Sequence, residues 1–416
     1  MEPNAERTGD GDGVSGDIDD TDDTGDAVRP FEVSVADDDV ADLRRRLAAT
    51  RWPDDPPADD WSYGTDPEYL RTLCEYWRES YDWDAFERRL NRFDQYVTTI
   101  DGQRVHCYHV RSPEPDATPL LLSHGWPGSI VEFLDVLGPL SDPAAHGGDP
   151  DDAFHVVAPS LPGYGFSGPT TGAGWDARRI AEAFAELMTR LGYDRFLAQG
   201  GDWGALVTAI LGAEYPDRVA AIHTNLLFLR PSAFEDPMGM LDEEGRADYE
   251  ATKAAREGET GYQAIQSTKP QTLAYGLTDS PAGLAAWVVE KFRTWSDCDG
   301  DVESRFDRER LLDNLGVYWL TGTVNASMRL YYETTFEDVV PDSVDVPTGH
   351  ARYPVEVSRT PRAWAEAVYD IEHWVEMPEG GHFAAMEVPD LFVEDLRTFF
   401  GNYRGAGTDA GGTPHA

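Results

Sequence analysis

RFLAQGGDWGALVTAILGAEYP, residues 195–216, decides the architecture. Phe196 to Gln199 is a short run of strand character, Gly200 and Gly201 break it, and Ala205, Leu206, Val207, Ile210 and Leu211 make the following stretch an apolar helix. Strand, tight turn and helix in that order place Asp202 at the centre of Gly200-Gly201-Asp202-Trp203-Gly204. The glycines are required because such a turn is strained and its flanks pack closely. The turn projects its central side chain out of the sheet and aims the next backbone N–H, that of Trp203, at the same spot. A serine there would suit acyl transfer, whereas a carboxylate suits attack on an sp³ carbon and formation of an alkyl ester. The plain alternative, an aspartate that only caps the helix, explains Asp202 but not the glycines around it.

Outward from this turn, strand and helix patterns alternate. PLLLSHGWPGS (119–129) is a buried strand running into a Gly/Pro loop, with a helix expected over Ile130–Leu140. FHVVAPSLPGYGFSG (154–168) repeats strand then loop, Asp176–Leu191 is a long amphipathic helix, and VAAIHTNLL (219–227) is another strand. This rhythm predicts a mostly parallel central sheet with helices on both faces. Residues 231–340 break it: they are helical, rich in Tyr and Trp and without clear strands, as a lid inserted over the sheet's C-terminal edge would be. Strand and helix return with HARYPVEVSRT (350–360), EHWVEMPEGGHF (372–383) and a last helix, Pro389–Phe400. Ahead of the sheet lie helices over residues 37–51, with Val40, Leu43 and Leu47 on one face and Asp37 as cap, over Pro67–Arg78 and over Asp84–Asn91. YVTTIDGQRVHCYHV (96–110) then reads as a hairpin about Asp101-Gly102. The expected division is a disordered acidic tail (1–28), a mostly helical N-terminal region (29–105), a core (106–230 and 341–403), a lid (231–340) and a Gly-rich flexible tail (404–416).

With 34 basic against 77 acidic residues the formal charge is −43. Such a chain repels phosphate backbones and anionic bilayers, which excludes nucleic acid and the membrane surface as partners. No run is long and apolar enough to span a bilayer, and the N-terminus lacks a basic-then-apolar leader pattern. Only Lys253, Lys269 and Lys291 are lysines. Acid excess spread along the whole chain with so little lysine reads as adaptation to concentrated salt, where a surface of this charge is screened within about 3 Å at 1 M. Cys74, Cys107 and Cys298 are odd in number and far apart, which argues for a reducing cytoplasm and against a disulfide framework or structural zinc.

Two further loops carry chemistry. Ser123-His124-Gly125-Trp126-Pro127-Gly128 follows a strand, and in a fold of this order such a loop supplies a second oxyanion donor, here the Trp126 N–H; His124 reads as a buried structural residue. Gly380-Gly381-His382-Phe383 comes late in the chain and after a strand, where the order nucleophile, acid, histidine of the α/β-hydrolase fold places its base. For the acid, Glu356, Asp370 and Glu372 all lie between Asp202 and His382 near strand ends, and spacing leaves the choice open.

The chain resembles the microsomal and juvenile-hormone type of epoxide hydrolase over about residues 30–402. The resemblance rests on PFEVSV, DLRRRLAATRWPD, YLRTLCEYWR, DWDAFERRLNRF, HGWPGS, GGDWG, GYQAIQSTKP, DSPAGLAAWVVEKFRTW and GGHFAAMEVPDLF in sequence order. It implies an α/β-hydrolase fold with Asp202 as nucleophile and His382 as base, and picks Glu356 as the acid because YPVE (353–356) stands where the family has aromatic-Pro-x-Glu. It further implies two lid tyrosines that hold and protonate the epoxide oxygen: Tyr262, and Tyr331 with Tyr332 adjacent. Trp126 and Trp203 supply the oxyanion N–H groups, and no metal or organic cofactor is needed. The microsomal relative's membrane anchor is not carried over, because an acidic tail stands in its place. The expected substrate is a small apolar or aromatic epoxide, suggested by Trp287, Trp295 and Trp319 in the lid; whether the protein is a monomer or a homo-oligomer is left open. The rivals are a haloalkane or haloacid dehalogenase, which would need halide donors where this chain offers tyrosines, and a non-catalytic binder of hydrophobic ligands, which would lack a member of the triad. A serine esterase is excluded at the turn itself.

Overall fold

The computed structural model describes residues 27–58 and 61–405. All but Ala27 and Val28 of the expected N-terminal tail, and all but Arg404 and Gly405 of the C-terminal one, lie outside the described residues. Nine strands form one sheet: β1 (Arg29–Phe31), β2 (Gln95–Ile100), β3 (Gln103–Val110), β4 (Thr118–Ser123), β5 (Phe154–Pro159), β6 (Phe196–Gly200), β7 (Val219–Thr224), β8 (Val344–Arg352) and β9 (Tyr369–Glu376). Their order is β1-β2-β3-β5-β4-β6-β7-β8-β9. β1 to β3 and the β3–β5 pair are antiparallel, and every pair from β5 to β9 is parallel. The hairpin joining β2 to β3 turns on Asp101 and Gly102, both at positive φ (52° and 73°), the geometry that makes Asp-Gly a hairpin signal.

β4, β6 and β7 sit mid-sheet and are buried along their whole length, as strands covered on both faces must be. One cover is the apolar helix Trp203–Glu214, buried from Trp203 to Gly212. The N-terminal helices Asp37–Ala48, Pro67–Glu79 and Trp83–Leu90 bury Leu43, Leu73, Trp77 and Phe86 completely. Between β7 and β8 the described chain contributes helices only, among them Glu243–Glu259, Gly261–Thr268, Pro281–Trp295, Arg308–Thr321 and Val324–Glu333. No helix among the described residues is long and apolar enough to cross a membrane.

Three expectations about local structure need correction. Ile130–Leu140 is not one helix but a 3₁₀ turn, Ile130–Phe133, and a separate helix, Leu137–Ser141. Pro139 is the reason: its ring and missing N–H are tolerated only in a first turn, so the helix starts just before it. Asp37 is not a cap; Ala36 occupies that position, and Asp37, Asp38 and Asp39 fill the first turn, where the helix dipole favours negative charge. The strand read at 350–360 begins earlier, at Val344, and ends at Arg352. Pro347 hid its first half, since it cannot donate to the ladder; a register irregularity between Val344 and Pro347 absorbs it.

Candidate active site

Asp202 stands between β6 and helix Trp203–Glu214 with φ 49° and ψ −128°, a conformation that a non-glycine residue adopts only when its surroundings enforce it. The glycines around it show how. A Cβ on Gly200 would lie 2.1 Å from the Gly204 carbonyl oxygen, one on Gly204 would lie 1.9 Å from that of Ser123, and one on Gly125 would lie 2.1 Å from Asp202 Oδ1. Although Asp202 occupies the N-cap position, its carboxylate makes no capping bond to the helix. Instead Oδ1 accepts from the Trp126 N–H at 2.8 Å, and Oδ2 lies 3.3 Å from His382 Nε2. The helix-cap reading is thereby excluded.

His382 is buried and held from behind. Its Nδ1 lies 2.6 Å from Glu356 Oε1, and its own N–H donates to the Trp295 carbonyl at 2.9 Å. Glu356 is buried in the loop after β8, and its Oε1 also accepts from the Val357 N–H at 2.7 Å. Burial alone would depress the histidine, but the Glu356 and Asp202 carboxylates on either side hold its imidazole well above the usual histidine range. Of the other two acids, Asp370 and Glu372 are exposed on β9, and Glu372 accepts a hydrogen bond from the Tyr403 hydroxyl. The structure thus brings Asp202, His382 and Glu356 together and leaves both alternatives outside. His124 is likewise outside the chemistry. Burial pushes it down to about 4, and its Nε2 accepts from the Leu161 N–H at 3.2 Å.

Aromatic rings enclose the Asp202 carboxylate. Tyr262 stacks on Trp126 with centroids 5.1 Å apart, and Tyr331 meets Trp203 edge-on at 4.8 Å and Tyr262 at 5.9 Å. Both phenols are held above the usual tyrosine range, first by burial; the negative charge of Asp202 adds to it. Tyr332 is 60% exposed, so of the two neighbours Tyr331 faces the site. Asp202, Trp203, Tyr262, Trp295, Tyr331 and Glu356 line one cavity of about 630 Å³, whose apolar lining includes Leu226, Phe228 and Phe336. Among the described residues no group of His, Cys, Asp and Glu side chains could hold a metal ion.

Two polar residues of the site escaped sequence reasoning. Glu132 follows the HGWPGS loop, and its carboxyl fits only because Gly128 has no side chain: a Cβ there would lie 1.6 Å from Glu132 Oε1. Enclosure pushes this acid up to about 8, with the Asp202 charge adding and His382 opposing. Asn225, just past β7, has its Nδ2 3.5 Å from Glu356 Oε2 and 3.4 Å from the His382 carbonyl. A lone glutamate in the apolar run IVEFLDVL (130–137) was the available signal for Glu132; for Asn225 there was none.

An aspartate at a strained strand–helix turn, with a histidine–glutamate pair behind it and phenols lining the same cavity, is set in an α/β-hydrolase fold. Residues 28–133 match the family model of the epoxide hydrolase N terminus, and residues 118–257 match that of the α/β hydrolase fold. The chain is 46% identical over 381 residues to a putative epoxide hydrolase of Stigmatella aurantiaca, covering 91% of this chain and 86% of that protein. It is 36% identical to epoxide hydrolase 1 of Sus scrofa, over 90% of this chain and 89% of the other. The structure superimposes on that of juvenile hormone epoxide hydrolase from Bombyx mori with a TM-score of 0.84 at 32% identity, over 91% and 95% of the two chains. The chain belongs to the epoxide hydrolase family, as its sequence motifs had implied.

Proposed function

We propose that this chain converts apolar or aromatic epoxides to vicinal diols through an ester on Asp202. Tyr262 and Tyr331 hydrogen-bond the epoxide oxygen and one of them protonates it as the C–O bond breaks. Asp202 attacks the ring carbon from the opposite side, and its negative charge passes into the ester. That loss removes one of the two carboxylates that raise the proton affinity of His382. His382, still paired to Glu356, then accepts a proton from water, and the hydroxide adds to the ester carbonyl. The resulting oxyanion is met by the N–H of Trp126, with that of Trp203 as second donor. Collapse breaks the ester C–O bond, His382 returns its proton to the leaving alkoxide, the acid proton left on Asp202 passes to the phenolate, and the diol departs with Asp202 and the tyrosines regenerated.

The observation that carries this reading is the geometry of Asp202: positive φ, a backbone donor on Oδ1 and an imidazole on Oδ2, with Tyr262 and Tyr331 lining the same cavity. A single turnover in ¹⁸O-water tests it. The first diol should carry unlabelled oxygen from Asp202, and label should appear only in later cycles. Label in the first diol would mean that water attacks the epoxide directly and would remove Asp202 as nucleophile. The working units of this reading are an N-terminal region (29–105), a core (106–230 and 341–403) and a lid (231–340). Its setting is a reducing, salt-rich cytoplasm, supported by three buried free cysteines and the −43 charge.

A further inference from the structure

The chain has three lysines, and two of them, Lys253 and Lys269, are on the surface. The third is not. Lys291 lies in helix Pro281–Trp295 and is only 7% exposed. Its Nζ sits 5.1 Å from the centroid of the Tyr262 ring and 5.6 Å from that of Trp295. Two carboxylates hold it there: Glu290 Oε2 at 2.7 Å, from its own helix, and Glu259 Oε2 at 2.9 Å, from the end of helix Glu243–Glu259. Glu259 precedes the helix Gly261–Thr268 that carries Tyr262. One ammonium therefore joins both helices that flank the lid tyrosine to the face of its ring. In a protein that otherwise draws its cations almost entirely from arginine, this place takes a compact point charge with rotatable donors, which a planar guanidinium replaces only in part.

We propose that Lys291 is a positioning residue for ring opening: it fixes the Tyr262 ring in the cavity and strengthens that phenol as a donor to the epoxide oxygen. The inference rests on the reading of Tyr262 as an acid partner. As the C–O bond breaks, the phenol takes up part of the developing negative charge, and a cation at the ring face is then attracted more strongly than in the ground state. An interaction that grows toward the transition state raises the rate of that step and not merely the binding of substrate. Glu259 acts on the phenol in the opposite sense, raising its proton affinity, so an unpaired Glu259 would weaken the donor. A bond that only fastened lid helices would not single out one chemical step.

Single-turnover fluorescence with styrene oxide on the full chain separates alkylation from ester hydrolysis. Lys291→Met should slow alkylation about tenfold, the size a desolvated cation–π contact supports, while ester hydrolysis stays within about twofold. Lys291→Met/Glu259→Gln, which also removes one of the two orphaned acids, the one from the neighbouring helix, should keep most of that loss and provides a folded comparison if the single variant melts early. Lys291→Arg should recover part of the alkylation rate. In a Tyr262→Phe background, Lys291→Met should change alkylation less than about twofold, because the phenol it acts on is gone. Equal losses in both backgrounds, equal losses in both steps, or no loss would overturn the proposal. If Tyr262→Phe with Lys291 intact leaves alkylation unchanged, the role of Tyr262 itself falls, and this inference with it.

Discussion

Glu356→Gln isolates one charge at the site. The amide oxygen can keep the place of Oε1, accepting from the Val357 N–H at 2.7 Å and from His382 Nδ1 at 2.6 Å, so the ring keeps its tautomer and orientation. What disappears is the attraction between a carboxylate and the imidazolium that forms as water is deprotonated. At a charge separation of ~4 Å and an effective dielectric of about 20, that attraction is worth about 4 kcal/mol. The amide dipole retains part of it, so ester hydrolysis should slow by about 10²- to 10³-fold. Alkylation needs no base and should stay within about threefold of the parent enzyme. The sign of the pH effect follows from the same geometry. Glu356 raises the proton affinity of His382, so its replacement moves the acid limb of hydrolysis to lower pH. The tryptophans around Asp202 report both steps in stopped-flow fluorescence, and intact-protein mass should show the ester accumulating. Equal slowing of alkylation and hydrolysis, or hydrolysis at the parent rate, would refute the assignment of Glu356 as the partner of the base.

Tyr331→Phe should cost alkylation about 2–4 kcal/mol of barrier, as loss of an oxyanion-type donor does, whereas Tyr332→Phe, at an exposed position, should leave both steps unchanged in the same single-turnover assay. Asp395 is buried between His223 Nε2 at 2.8 Å and His373 Nε2 at 2.7 Å, which hold its carboxyl far below the usual range against the effect of burial. A depressed carboxyl contributes stability above its unfolded value near 4 and loses it as pH falls through the folded one, so Asp395→Asn should cost about 3 kcal/mol at pH 7, and calorimetric melts should show the gap narrowing below pH ~4. Thermal melts across a chloride series from ~0.1 M to several molar should rise steadily as self-repulsion is screened, and a flat or falling series would contradict adaptation to salt.

Much of this protein is legible without coordinates, because its decisive features are local. The Gly-Gly-Asp-Trp-Gly turn announces itself through residues whose lack of side chains has only one use, and the hairpin at Asp101-Gly102 follows from the backbone preferences of two residues. The alternation of strands and helices is a periodic pattern, and periodicity survives without knowledge of neighbours. The limits lie where a contact joins distant segments. Spacing could not choose among Glu356, Asp370 and Glu372, since the choice depends on which acid the sheet brings within 2.6 Å of His382. Tyr331 and Tyr332 are equivalent in sequence, and only helix packing turns one inward and leaves the other 60% exposed. Glu132 and Asn225 carry no motif of their own; each matters through what the fold sets beside it, Asp202 and His382 for the first and Glu356 for the second. Residue type determined which chemistry this chain can perform. The tertiary structure decided which copies of each residue meet at the site, because burial and proximity, which set a side chain's charge and reach, are properties of the packed molecule.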